Sequence, residues 1–204
     1  MQNQNEQQNL QSSTQMPPQQ NEGGHSLFDT HEALGTVTGT LEQYLLYEQH
    51  IQDQELTTIL QSHRTFISQL YNTLVETLKT GQDPSVPTQT YNMSLNNDVV
   101  YGMQPSAPKT PSQSVNEIND ECVSSFMLGG LKSIATSFTT TALESTNPVL
   151  RRVFSDSIPN VIEMAYEVFL YQNKHQYYQV PQLKVQDMQA LLNSYAPIQG
   201  TMPH

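Results

Sequence analysis

The residues of this chain that could do chemistry are its carboxylates and histidines: 19 Asp and Glu and 6 His, set against 8 Lys and Arg and 1 Cys. Glu-x-x-His pairs on facing helices are the ligands of di-iron and di-manganese centres, because residues three apart on a helix project from one face. Glu22 alone has a histidine at that spacing, His25, and the pair sits in a Gln-rich tail. Glu48 followed by Ile51, Glu121 by Ser124, Glu163 by Tyr166 and Glu167 by Leu170 all lack it. The chain also lacks a Gly-rich phosphate loop, a nucleophile elbow and a Cys cluster. The sequence therefore predicts no catalytic residue, no cofactor or cofactor-binding residue, no metal ligand and no small-molecule substrate.

The elements that would position such residues are helical. Ser114-Val115-Asn116-Glu117 has capping-box spacing and predicts a helix from Val115 to about Ser145. Asn147-Pro148 starts the next, since Asn caps and Pro at the first position gives up an N–H that has no partner anyway. That helix runs to about Asn173, with Pro159 predicting a bend and Lys174 and His175 at the negative end of its dipole. Asp29-x-x-Glu32 begins an earlier helix reaching Ile51, and Asp53-Gln54-Glu55 a fourth that stops at Gly81. Gly129-Gly130 inside the third helix predicts close approach of a neighbouring backbone.

Between the two hairpins, residues 82–113 carry Pro at 84, 87, 105, 108 and 111, which excludes helix. A segment of about 30 residues reaches roughly 100 Å when extended, more than the ~40 Å of a 27-residue helix. It can therefore run the length of a bundle, and it is expected to bring the second hairpin to the same end as the first. Two hairpins with a long crossover make a ferritin-like four-helix bundle, all-α. A short helix with Leu183, Met188, Leu191 and Leu192 is expected to dock on it.

Within that bundle two polar residues fall on apolar seams: Glu48, in phase with Leu41 and Tyr44, and His63, between Leu60 and Ile67. They read as a polar pair bonded to each other or to water; the alternative is a metal-binding or oxidative protein using Glu48, His63 and Glu121. Glu163 and Glu167 fall opposite Ile158, Val161 and Ala165 and are expected in water. The organisation is a low-complexity disordered tail over 1–25, a bundle over 26–197 and a frayed end over 198–204. The glutamines of the tail read as solvated or as amine acceptors for cross-linking. Tyr166, Tyr171, Tyr177 and Tyr178 read as buried phenols or as sites of oxidative coupling. Cys122 reads as a small buried hydrophobe or an intermolecular cross-link.

A formal net charge of −11 without a basic stripe argues against nucleic acid and anionic membrane as partners. No apolar run approaches the ~20 residues of a membrane span, and the Gln/Asn-rich start does not resemble a signal peptide, so synthesis in a cytosol is expected.

Five strings carry a more specific likeness: Gly81-Gln82-Asp83-Pro84-Ser85; Ser114-Val115-Asn116-Glu117-Ile118 with Asp120-Glu121-Cys122; Asn147-Pro148-Val149-Leu150-Arg151-Arg152; Glu163-Met164-Ala165-Tyr166-Glu167; and Tyr177-Tyr178-Gln179-Val180-Pro181. Together they resemble the spore coat protein F (Coat F) family of endospore-forming bacilli, over about residues 26–197. The resemblance implies a ferritin-like bundle without the metal ligands, a structural or assembly part of the spore coat and not an enzyme. It further implies synthesis in the mother-cell cytoplasm, with other spore coat proteins, and self-association, as the partners expected.

Overall fold

The computed structural model describes residues 22–198; the tail expected over 1–25 falls mostly outside them, as does most of the end expected over 198–204. Four long helices form the bundle: α1 Gly24–Glu48, α2 Gln54–Thr80, α3 Asp120–Glu144 and α4 Pro148–Lys174, followed by a short α5 Val185–Leu192. The described residues form no β-strand; Tyr101 and Gly102 make only an isolated bridge with Val180. The all-α bundle with a long crossover is thus as expected.

Local chemistry sets the boundaries. The Asp53 carboxylate accepts from Glu55 N and caps α2, which ends at Gly81 in the left-handed conformation (φ 64°) that glycine tolerates best. Asn147 accepts from Val149 N and Leu150 N, and Pro148 opens α4, which continues unbroken through Pro159. The Ser114–Glu117 signal makes only a single 3-10 turn. Ser114 Oγ accepts from Asn116 N while Glu117 reaches Gln113 N, and Ile118 then turns extended, so α3 starts afresh under an Asn119 cap. At the other end of the sequence, α1 starts before Asp29, from Gly23, whose carbonyl accepts from Leu27 N and whose N–H donates to Thr146 Oγ1.

Each helix packs against two neighbours in a square: α1 on α2 and α3, α4 on α2 and α3. The core holds Leu56, Leu60, Ile67 and Leu74 of α2, Met127, Leu131, Ile134 and Phe138 of α3, and Phe154, Val161, Met164 and Val168 of α4. Phe138 and Phe154 meet edge to face, centroids 5.1 Å apart. Burial of this apolar surface is the dominant favourable term, at about 25 cal/mol per Å².

The start of α1 meets the end of α3 through Thr141 Oγ1 and Asp29 O, and the α1–α2 corner meets the start of α3 through Gln52 N and Asp120 Oδ1. Helix α3 therefore runs antiparallel to α1. The crossover does traverse the bundle, but it delivers the second hairpin to the end opposite the one where α1 starts, not the same one. A connector that spans the full length must reverse the starting end, because α2 has already returned the chain to where α1 began. Two further expectations change. Gly130 lies against Thr40 of α1, 3.4 Å from the place its Cβ would occupy, whereas Gly129 is open on every side. Helix α5 does not dock: none of its residues is buried, and Leu191 and Leu192 stand exposed.

Candidate functional site

The polar residues that matter lie on α4, on the side away from α3. Asn160, Glu167 and Asn173 are all buried; the seven-residue spacing puts Asn160 and Glu167 on one stripe, and Asn173, six residues further on, lies about 120° round the helix in its last turn. The extended crossover lies along that stripe and passes on to Asn173. Tyr91 N donates to Asn160 Oδ1 at 2.7 Å. Val100 N donates to Asn173 Oδ1 at 2.6 Å, and Asn173 Nδ2 returns a bond to Val100 O at 3.0 Å. An irregular segment buried without such partners would leave peptide groups unsatisfied; here α4 side chains stand in for a ladder.

Glu167 is the centre of the arrangement. Its Oε2 accepts from His63 Nε2 at 3.0 Å and from the Tyr91 hydroxyl at 2.5 Å. Its Oε1 accepts from Ser94 N at 2.6 Å and Ser94 Oγ at 2.8 Å. A carboxylate only accepts, so the proton of His63 sits on Nε2. Burial pushes the Glu167 carboxyl up, but the bonds from His63, Tyr91 and Ser94 outweigh it and hold it down at about 2. Burial also lowers the His63 imidazole, against the pull of Glu167. The result is a neutral imidazole against an ionised carboxylate, both side chains wholly shielded from solvent. Burial, and then the charge of Glu167, push the Tyr91 phenol up, which keeps it a donor. On the α1 side, the Tyr44 hydroxyl and His63 Nδ1 lie buried without a hydrogen-bond partner.

The expected pair is therefore partly wrong. His63 is buried as its seam position required, but its partner is Glu167, not Glu48. Glu48 reaches the surface at the end of α1, where it meets Arg64 Nη1 at 3.4 Å and Gln61 Nε2 at 3.2 Å. Glu167, expected in water, is buried because the crossover covers its face; Glu163 on the same side is half-buried. Glu121 pairs with Lys109 at the start of α3. Glu48, His63 and Glu121 thus make three separate contacts and do not converge. Among the described residues no group of three or more His, Cys, Asp or Glu is placed to hold a metal ion. With all four acceptor positions of Glu167 occupied by donors of its own chain, the cluster fastens the crossover and offers no free oxygen to a ligand.

A second polar knot closes the far end. The Tyr171 hydroxyl donates to Asp53 Oδ2 at 3.1 Å, His175 Nε2 stands 3.4 Å from the same oxygen, and Lys174 Nζ lies 2.6 Å from Glu55 Oε2. Tyr171 is thus buried, whereas Tyr178 is exposed. Cys122 is half-buried beside the crossover, with Ser112 Oγ at 3.8 Å.

Residues 119–181 match the Coat F domain. A spore coat protein F-like protein of Bacillus subtilis (strain 168) is 51% identical over 181 residues, spanning 89% of this chain and 83% of that protein. The solved structure of a candidate spore coat protein from Bacillus halodurans C-125 superposes with a TM-score of 0.58 at 15% identity, covering 84% of this chain and 98% of the other, which is a likeness of fold. An identity of 51% across nine-tenths of the sequence leaves one assignment: the chain belongs to the spore coat protein F family.

Proposed function

We propose that the chain is a non-enzymatic structural component of the bacterial spore coat, made in the mother-cell cytoplasm and acting through protein–protein contacts of the bundle surface and the crossover. The single observation that carries this reading is the use to which the buried polar residues are put. Asn160, Glu167 and Asn173 spend hydrogen bonds on holding the crossover, and His63 on holding Glu167, which leaves the outer surfaces to meet partners. The family name points the same way, as does the chemistry of the exposed surface, where Tyr101, Met103, Leu191 and Tyr195 offer apolar contact. No helix is long and apolar enough to cross a membrane among the described residues, so attachment to the spore is expected through other coat proteins.

A fluorescent fusion followed through sporulation tests the reading. The expected signal is a shell around the forespore after engulfment. A signal that stays diffuse in the mother cell, with none at the forespore, overturns it.

A further inference from the structure

Helix α1 has two faces. Ser26, Thr30, Ala33, Val37, Thr40 and Tyr44 are buried and define the inward line. At about 100° per residue, Phe28, His31, Gly35, Gly39, Glu42 and Leu46 fall together on the opposite side. Phe28 is 72% and Leu46 61% exposed, and nothing lies within 4 Å of a Cβ placed on Gly35 or Gly39. Glycine is the least favourable residue of a helix interior after proline, and inside this chain neither glycine answers to any close packing. Large apolar side chains at both ends of an outward face, with bare backbone between them, form a seat for a second helix.

The pattern is also symmetric. Phe28 and Leu46 lie nine residues before and after Val37, Gly35 and Gly39 two before and after it, and His31 and Glu42 six before and five after. We infer that this face is an isologous interface at which α1 of a second copy of this chain packs antiparallel about Val37. In that pairing a two-fold axis sets Phe28 beside Leu46 of the other copy and Gly35 beside Gly39, so the backbones approach closely. His31 and Glu42 share one flank of the stripe, so the same axis brings the imidazole of each copy to the carboxylate of the other. The hydrogen-bonding and charge complementarity of a donor-bearing ring with an acid selects a copy of this chain over an unrelated apolar partner. A single helix pair is a small contact, so association is expected to be weak and concentration-dependent.

The inference deepens the assembly reading by naming one of its surfaces, and it rests on that reading; the two fail separately. Sedimentation equilibrium of the full chain over about 10 to 500 μM is expected to show a monomer–dimer equilibrium, as befits an interface of this size. Gly35→Leu combined with Gly39→Leu, which points into open space and leaves the fold intact by circular dichroism, is expected to weaken the dimer more than tenfold. A wild-type chain that stays monomeric throughout, or a double variant that dimerises as well as wild type, overturns the inference. Register is read separately in a Cys122→Ser background: oxidation of a mixture of Phe28→Cys and Leu46→Cys chains is expected to give mainly the mixed disulfide. Predominance of either homodimer overturns the antiparallel pairing. A chain that dimerises in this way yet never reaches the forespore keeps the interface and defeats the coat role; a monomer found in the shell does the reverse.

Discussion

Two opposite grooves of the bundle solve the same problem differently. Between α2 and α4 the groove is covered by the crossover, and the polar side chains reach out of their helix: Asn160, Glu167 and Asn173 bind the backbone of residues 91–100. Between α1 and α3 nothing in the described residues covers the groove, and apart from Thr141, which reaches Asp29 O, hydroxyls there turn back on their own helices. Thr36 donates to Glu32 O at 3.0 Å, Ser133 to Gly129 O at 3.0 Å and Thr136 to Lys132 O at 2.9 Å. Side chains that have an outside partner create a buried network whose loss is costly; those without one satisfy themselves locally and contribute little.

The largest expected effect is therefore on the covered side. Glu167→Ala strips the partner from His63 Nε2, Ser94 N and the Tyr91 hydroxyl at once, of which His63 and Tyr91 are buried and Ser94 stands at the surface. Breaking such a cluster typically costs about 3–5 kcal/mol, to be read from the urea midpoint. A cost below about 1 kcal/mol, the ordinary range for exposed sites, would erase the contrast between the grooves.

Acid titrates the same contrast. The Glu167 carboxyl is held at about 2 in the fold against an ordinary 4.5, so between these values the unfolded chain binds more protons than the native one. Its contribution is full above pH 4.5 and is lost as pH falls to about 2, amounting to roughly 3 kcal/mol at 1.36 kcal/mol per pH unit. His63 acts in the same direction: burial lowers it below the ordinary 6.5, so stability begins to fall as pH drops below that value. Denaturation midpoints measured against pH should fall with acid in the wild type, and Glu167→Gln should lose the portion below pH 4.5. The smallest effect belongs to the open side, where Thr136→Ala is expected to change stability by less than about 0.5 kcal/mol in the same assay.

Much of the architecture was legible because helix ends announce themselves chemically. Asp53, Gly81 and Asn147 stand at the predicted boundaries, since a carboxylate, a residue free to take positive φ and an amide followed by proline each satisfy a specific backbone group. The length of the Pro-rich segment implied a crossover. What escaped was the burial of Glu167. Periodicity reports only the face a helix turns toward other helices, and the crossover that buries Glu167 has no periodicity of its own. The signal that would have found it is the pair Asn160 and Glu167, one heptad apart and so on one face of a helix whose remaining buried positions are mostly apolar. The Ser114–Glu117 box misled for a related reason: its donors and acceptors were used up in one turn.

The bonds between Tyr91, Ser94 or Val100 and α4 join residues 69 to 76 positions apart in the chain. Nothing local tells the crossover where to lie. Its ordering must wait until α4 has docked, because loop closure over that distance is repaid only by contacts that do not yet exist. The same dependence makes it the segment that lets go first: amide exchange at residues 91–100 should open at a lower free energy than in the helices beneath, a sub-global unfolding step in which the four-helix frame persists after its fastening has parted.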